Sequence, residues 1–379
     1  MLTVAFALAS LLMAAACGGG SDDNNASSGG KNRATGAPIK IGLLNPVNGG
    51  ASAPGATQGV NAGVEFVNAD LGGVDGHPIE IISCDVDALS PETNINCANQ
   101  LAKSGVVAVI DAYNPAAGAT LPILQSAKIP IIGPLAFNPA LGAEPDGRVY
   151  FGPPAAAFLL GAMESMKAQG YSSITLANLD DPSGHETIDK MLVPLGKQIG
   201  LTVKGVYFQA TNPNFNVLAS TIKSTDADVA GLLVTLNEAM CTNLFESLLK
   251  VGFKGVPFMA SCSEFLERVG AKAVGAQTYS SIWLPQAKDS APADVKKNLD
   301  IAQKYVDAQK GPSDWNAYAA FSTIVDFTRT VSAAKPAELT GPTVLTALKA
   351  VKGYQSFLGP VLDCGGATSP NCTTEIFNF

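Results

Sequence analysis

The chain is poor in the residues that carry most metal and acid–base chemistry near neutral pH. Only two histidines, His77 and His185, occur among 379 residues. No CxxC pair is present, so the cysteines offer no compact metal knuckle. A phosphate-binding loop, a G-x-G-x-x-G fingerprint and a G-x-S-x-G nucleophile turn are all missing, which removes the common sequence grounds for an enzyme. Charge is sparse at 15%, and acidic residues outnumber basic ones, 32 to 24. No basic run is longer than Lys296-Lys297. This balance argues against nucleic acid and anionic membrane surfaces as partners. After residue 17 no apolar run approaches the roughly 20 residues of a membrane span.

What is present begins with "VAFALASLLMAAAC", an apolar run of signal-peptide length that ends in small residues before Cys17. It resembles the lipobox of bacterial lipoproteins, in which that cysteine becomes the lipidated first residue of the mature protein. A plain signal peptide with an incidental cysteine is the alternative. Residues 18–37 are Gly, Ser, Asn and Asp with almost nothing apolar, too little to order themselves. They read as a tether spanning roughly 25 Å as a flexible coil. Six cysteines remain beyond Cys17: Cys84, Cys97, Cys241, Cys262, Cys364 and Cys372. An even number outside the cytoplasm suggests disulfides. Sequence allows about fifteen pairings of six cysteines. The simplest set joins neighbours, Cys84–Cys97, Cys241–Cys262 and Cys364–Cys372.

From Pro38 the chain alternates strand-like and helix-like segments. "IKIGLLN" and "HPIEIISCD" read as strands, and "SPETNINCANQLAKSG" starts as a helix with Ser90, Pro91 and Glu92 in capping positions. "VVAVIDA" is a strand that runs into Tyr113-Asn114-Pro115. Asn114 is expected to cap a helix with Pro115 at its first position. The N–H groups of Ala116, Ala117 and Gly118 would then be free, with the positive end of a helix dipole behind them. After "IPIIGP" the pattern restarts at "PAAAFLLGAMESMKAQGY" and runs through "SSITLANL", "LTVKGVYF", "ADVAGLLVT" and "VPFMAS". Two long helices and a short antiparallel tail follow. The expected fold class is α/β: two doubly wound, Rossmann-like parallel-sheet lobes joined by a hinge, with a ligand cleft between them. Lobe 1 is expected to hold 38–153 and 284–336, and lobe 2 to hold 154–283 and 337–379.

Several stretches, taken in order, resemble one family. They are "IGLLNPVNGGASAPGATQGVNAGVEFVNADLGGVDGHPIEIISCDVDALSPETNINCANQL", "IPIIGPLAFNPAL", "DDPSGHE", "NFN" near Phe215 and "WNAYAAFSTIVDF". The family is the substrate-binding proteins of ABC importers for branched-chain amino acids and related small molecules, with the type I periplasmic fold. No single motif is specific; their order over about Pro38 to Ala334 carries the likeness. The resemblance implies capture without catalysis. Two lobes close on a small molecule, the closed form docks on a membrane permease, and no cofactor or metal takes part. A monomer tethered by lipid at Cys17, outside the cytoplasm, fits that role.

The resemblance also implies where the ligand sits: Ser52, Tyr113, Asn114, Ala136, Phe137, Ser183, Asn237, Cys262 and Trp283. Amino-acid binders of the family have a serine-rich turn where this chain has Tyr113-Asn114-Pro115. They have a threonine at Phe137 and a tyrosine at Ser183. Their acidic partner for the α-ammonium falls where this chain reads "ASCSEF", with Cys262 and Ser263 near it and Glu264 slightly beyond. An unpaired ammonium is expensive to bury, so the expectation is a small carboxylate with an apolar or aromatic body. Its oxygen would meet the Asn114 helix start, and Tyr113, Phe137 and Trp283 would wall its body. An amino acid or amide is the alternative ligand, and a sensor of the same fold the alternative role. Asp181, His185 and Asp189 stand four apart, as metal ligands on a helix face would. A helix start with Ser183 as cap and Glu186 in the first turn is the simpler reading.

Overall fold

The computed structural model describes residues 32–47, 52–209, 211–233, 238–260, 262 and 264–379. The first lobe is built on five parallel strands: β1 (Ile39–Asn45), β2 (Ile79–Asp85), β3 (Ala108–Asp111), β4 (Ile131–Gly133) and β5 (Arg148–Tyr150), in the order β2-β1-β3-β4-β5. The second lobe has four: β6 (Ser173–Leu179), β7 (Thr202–Phe208), β8 (Val229–Leu232) and β9 (Val256–Met259), in the order β7-β6-β8-β9 and again parallel. Central strands are buried on both faces: every residue of β3, β4 and β8 is covered. The outer strands β2 and β7 alternate or are half-exposed, as edges are. The α/β class and its two doubly wound lobes are therefore as expected.

Close helix packing finishes the first lobe. Gly55, Gly59 and Gly63 recur every fourth residue on the helix Pro54–Phe66, facing the twenty-residue helix Trp315–Ala334. A Cβ at Gly59 would lie 1.9 Å from the Ala317 carbonyl oxygen. The absent side chains let the two backbones meet. Fifteen residues of that long helix, from Trp315 to Val331, are buried.

Three further short pairings involve β10 (Tyr279–Ser280), β11 (Tyr354–Gln355), β12 (Val361–Leu362) and β13 (Phe377–Asn378). β11 and β12 form an antiparallel hairpin, and β13 runs antiparallel to β10. The antiparallel tail was expected; its lobe was not. The sequence places residues 337–379 in lobe 2, whereas Val344, Leu348, Phe357, Leu358, Leu362, Cys364 and Cys372 lie in the first lobe's core. The apolar face of the helix Gly341–Lys349 packs beside the long helix, and buried Asp326 ties down the hairpin. The Asp326 carboxylate accepts from Tyr354 Oη (2.9 Å), Ser356 Oγ (2.6 Å), Ser322 Oγ (3.1 Å) and the Phe357 N–H (2.8 Å). Only the last residues, with Ile376 and β13, reach the second lobe.

All three neighbour disulfides, Cys84–Cys97, Cys241–Cys262 and Cys364–Cys372, are formed. No helix among the described residues is long and apolar enough to cross a membrane. Cys17 and the tether up to residue 31 lie outside the described residues.

Candidate functional site

The chain leaves the first sheet after β5, at its carboxyl end, and enters the second lobe through Phe151–Pro154. It returns through Ser281–Leu284 after β10, which extends the direction of β9 through the parallel bridge between Phe258 and Gln277. Both connections thus leave at carboxyl ends of strands. This sets the carboxyl edges of the two sheets toward each other, the place where open α/β sheets take ligands.

On the first lobe that edge carries aromatic rings. Tyr113 follows β3, and Phe137 follows β4. Their ring centroids are 4.7 Å apart in an edge-on arrangement, and Trp315 meets Phe137 edge-on at 6.0 Å. Tyr113 and Phe137 are half-buried, and burial raises the Tyr113 phenol pKa. Trp315 is buried, and its indole Nε1–H donates to Ser280 Oγ at 3.1 Å, joining the long helix to the crossover strand β10. Asp314 caps that helix, accepting from the Ala317 N–H at 3.0 Å. Trp315 was absent from the expected set. Its signal in the sequence was a rare tryptophan directly behind a capping aspartate.

Buried polar groups close the ends of β1 and β3. Asn45, at the end of β1, donates to the Ala53 carbonyl (2.7 Å), next to Ser52, and to Thr57 Oγ1 (3.0 Å). Asp111, at the end of β3, is fully buried and accepts from the Tyr150 hydroxyl at 2.9 Å. Desolvation raises its pKa to about 7, although the Tyr150 hydrogen bond pulls the other way. Its Oδ1 has no hydrogen-bond partner.

Several other expected site residues make bonds or contacts within the fold. Asn114 is buried, donates to Asn94 Oδ1 at 2.5 Å and accepts the Ala116 N–H at 3.2 Å. No α-helix starts there: a 3-10 turn spans Ala117–Thr120, and the α-helix begins at Leu121. The Ala117 N–H is taken by the Asn114 carbonyl. Asn114 thus closes its own turn and takes the N–H groups of Ala116 and Ala117. Ala136 is also buried, in the core beneath β4. Cys262 is buried and its sulfur is bonded to Cys241, so it has no free thiol to offer. Trp283 packs against Phe377 at 4.8 Å and Phe379 at 5.3 Å, which makes it part of a hinge cluster with the chain's end. Asn237 lies outside the described residues, as does Ser263.

The second lobe's edge carries a polar network. His185 Nε2 lies 2.9 Å from Asp180 Oδ1, and Nδ1 lies 3.2 Å from Asp189 Oδ2. The Tyr207 hydroxyl donates to Asp189 Oδ1 (2.7 Å), and Gln209 Nε2 donates to Asp180 Oδ2 (2.9 Å). The His185 ring stacks on Tyr207 with centroids 3.7 Å apart. Ser183, expected as the cap, sits inside the helix Pro182–His185; Asp181 does the capping, accepting the Gly184 N–H at 2.7 Å. The expected single helix from His185 continues as a π-helical stretch over Glu186–Leu192. Pro194 supplies no N–H to the preceding turn, which favours the wider winding. Asp181, His185 and Asp189 do not converge, and no metal-holding group occurs among the described residues.

A groove of about 510 Å³ opens on the second lobe between the loop after β7 and the helix Glu238–Lys250. Asn212, Phe215, Asn243 and Lys250 are among its lining residues; none of the expected site residues is.

A family model described as periplasmic binding protein matches residues 38–372. No curated protein matches the chain at a significant level. Three solved structures illustrate the fold. A possible leucine/isoleucine/valine-binding protein from Rhodopirellula baltica SH 1 is 16% identical with a TM-score of 0.69, covering 90% of this chain and 93% of its own. A substrate-binding periplasmic protein from Ralstonia solanacearum is 17% identical with a TM-score of 0.70, covering 90% and 96%. A leucine-binding protein from Thermotoga maritima MSB8 is 16% identical with a TM-score of 0.68, covering 87% and 93%. At such identities the likeness is one of fold.

Proposed function

We propose a function from one premise: the chain belongs to the periplasmic binding protein family. It captures a small organic ligand between the two carboxyl edges and delivers it to the permease of an ABC importer. Lipid on Cys17 and the tether of residues 18–37 keep it at the outer face of the cell membrane. The ligand has an apolar or aromatic body, which rests on half-buried Tyr113 and Phe137 with buried Trp315 behind them. That edge-on aromatic ladder, at the mouth of the first sheet, is the observation that carries the reading. Rings so placed bury a ligand's apolar surface and add roughly 0.5–1.5 kcal/mol for each aromatic pair. No helix-start contact for a carboxylate is part of this reading, since Asn114 itself accepts the Ala116 and Ala117 N–H groups.

A second reading is amino-acid import. The leucine-binding structures that share the fold favour it, and so does the acidic character of the second edge, where Asp180 and Asp189 bond His185, Gln209 and Tyr207. Thermal shift with phenylacetate, benzamide, L-phenylalanine and L-leucine separates the two. A ligand at a hundred times its dissociation constant adds about 2.7 kcal/mol. Stabilisation by phenylacetate or benzamide, weakened about tenfold in affinity by Phe137→Ala, is the expected result. Stabilisation by L-leucine alone would replace the first reading with the second. A shift that Phe137→Ala leaves untouched would put the site elsewhere.

A further inference from the structure

Both ring nitrogens of His185 face carboxylate oxygens, Asp180 on one side and Asp189 on the other. A neutral imidazole carries one N–H and one bare nitrogen, so it can donate to only one of them. The imidazolium donates to both. We propose that His185 is a positioning residue for the second edge of the cleft, and that its protonated form clamps the segment Asp180–His185 to the end of β7. The inference rests on the cleft assignment above and deepens it: the second edge is set for its ligand while His185 holds its proton and loosens as pH rises and the proton is lost.

The surroundings support a single titrating centre. From the end of β6 comes Asp180, whose other oxygen is held by Gln209. From β7 comes Tyr207, which donates to Asp189 and lies flat under the imidazole, a favourable face for a cation. From the helical segment come Asp181, committed to the Gly184 N–H, then Glu186, Asp189 and Lys190. The hydrogen bonds from Asp180 and then Asp189 raise the His185 pKa, and the Tyr207 hydrogen bond lowers that of Asp189. The backbone is tied to this centre: Gly184 N–H bonds Asp181, His185 N–H bonds the Asp181 carbonyl, and the Gly184 carbonyl accepts from buried Asn178 at 3.3 Å. A histidine raised above its unfolded value contributes most below that value and loses its contribution as pH climbs through the folded pKa.

The chain's two histidines make the test clean, because His77→Gln leaves His185 as the one imidazole. Its titration is followed by NMR of the ring carbon, and amide hydrogen exchange at Gly184 and His185 is measured across the same pH range after correction for intrinsic rates. The expected result is exchange that quickens about threefold as His185 loses its proton. His185→Gln is expected to show no such step, and Asp189→Asn to lower the His185 pKa. Exchange that stays flat through the titration, or a step that persists in His185→Gln, overturns the proposal. A second measurement uses L-leucine and phenylacetate as probes. Affinity for a probe that binds should weaken about threefold over the same pH range in His77→Gln and stay constant in His185→Gln. If neither probe binds, the cleft reading fails while the exchange data still decide the clamp.

Discussion

The two lobes share a parallel-sheet plan but keep their polar groups in opposite places. The first lobe buries them. Asp111 and Asp326 lie wholly within it, each held by hydroxyl or backbone donors, and its cleft edge presents rings. In the second lobe the titratable groups of the cleft edge are on the surface, where Asp180, His185, Asp189 and Tyr207 bond one another. Burial decides what such groups do. A carboxyl removed from water couples strongly to folding, whereas one in solvent is screened and acts locally. The first lobe is therefore the body whose stability answers to pH, and the second is the one whose cleft edge does.

The largest expected effect that sharpens this contrast comes from Asp111. With its pKa raised to about 7, the folded first lobe keeps a proton that the unfolded chain releases near pH 4. Stability should fall as pH rises from about 4 to about 7, by about 4 kcal/mol, because the folded state binds more protons across that window. Asp111→Asn should remove most of the slope in denaturant titrations at pH 4, 5.5 and 7. Asp326, whose pKa burial also raises, leaves a remainder of the same sign. A slope unchanged in Asp111→Asn would break the comparison.

Next comes covalent bracing. Cys241–Cys262 closes a loop across 21 residues of the second lobe, and the other two bridges brace the first. Paired Cys241→Ser and Cys262→Ser changes should cost about 3 kcal/mol. The loss should appear as early melting of the second lobe, read by hydrogen exchange in β8 and β9 with β1 and β3 still protected. Simultaneous loss in both lobes would mean that they unfold as one unit.

The smallest is a cap. Asn214 accepts the Val217 N–H at 3.1 Å at the start of the helix Phe215–Lys223. Asn214→Ala should lower the second lobe's stability by about 1 kcal/mol. Its first-lobe counterpart, Thr340→Ala, should cost a similar amount, since Thr340 and Thr343 form a reciprocal capping box. Equal losses with different melting order would confirm that each lobe answers to its own caps.

Much of the fold was legible along the chain. The runs that became β1, β3, β6 and β8 are short, apolar and bounded by turn residues, and periodicity of that kind needs no knowledge of partners. Neighbouring cysteines paired as proximity in sequence suggested. The lobe that takes the tail is not legible in the sequence, because its apolar residues fit either lobe and the choice falls to Asp326, 28 residues before Tyr354. The role of Asn114 is not legible in the sequence for a related reason. A cap and an anion contact need the same side chain, and only the presence of Asn94 beside it shows that the amide is already engaged.

The sequence by itself determined the class of fold, the two-lobe repetition and the aromatic character of Tyr113 and Phe137. These rest on local spacing and composition, which the chain carries in one dimension. Only the tertiary structure decided that Trp315 joins those two rings, that Trp283 serves the hinge, that Cys262 is closed off and that His185 stands between two carboxylates. Each of these depends on which side chains from distant segments meet, and on which polar groups are left in water once they do.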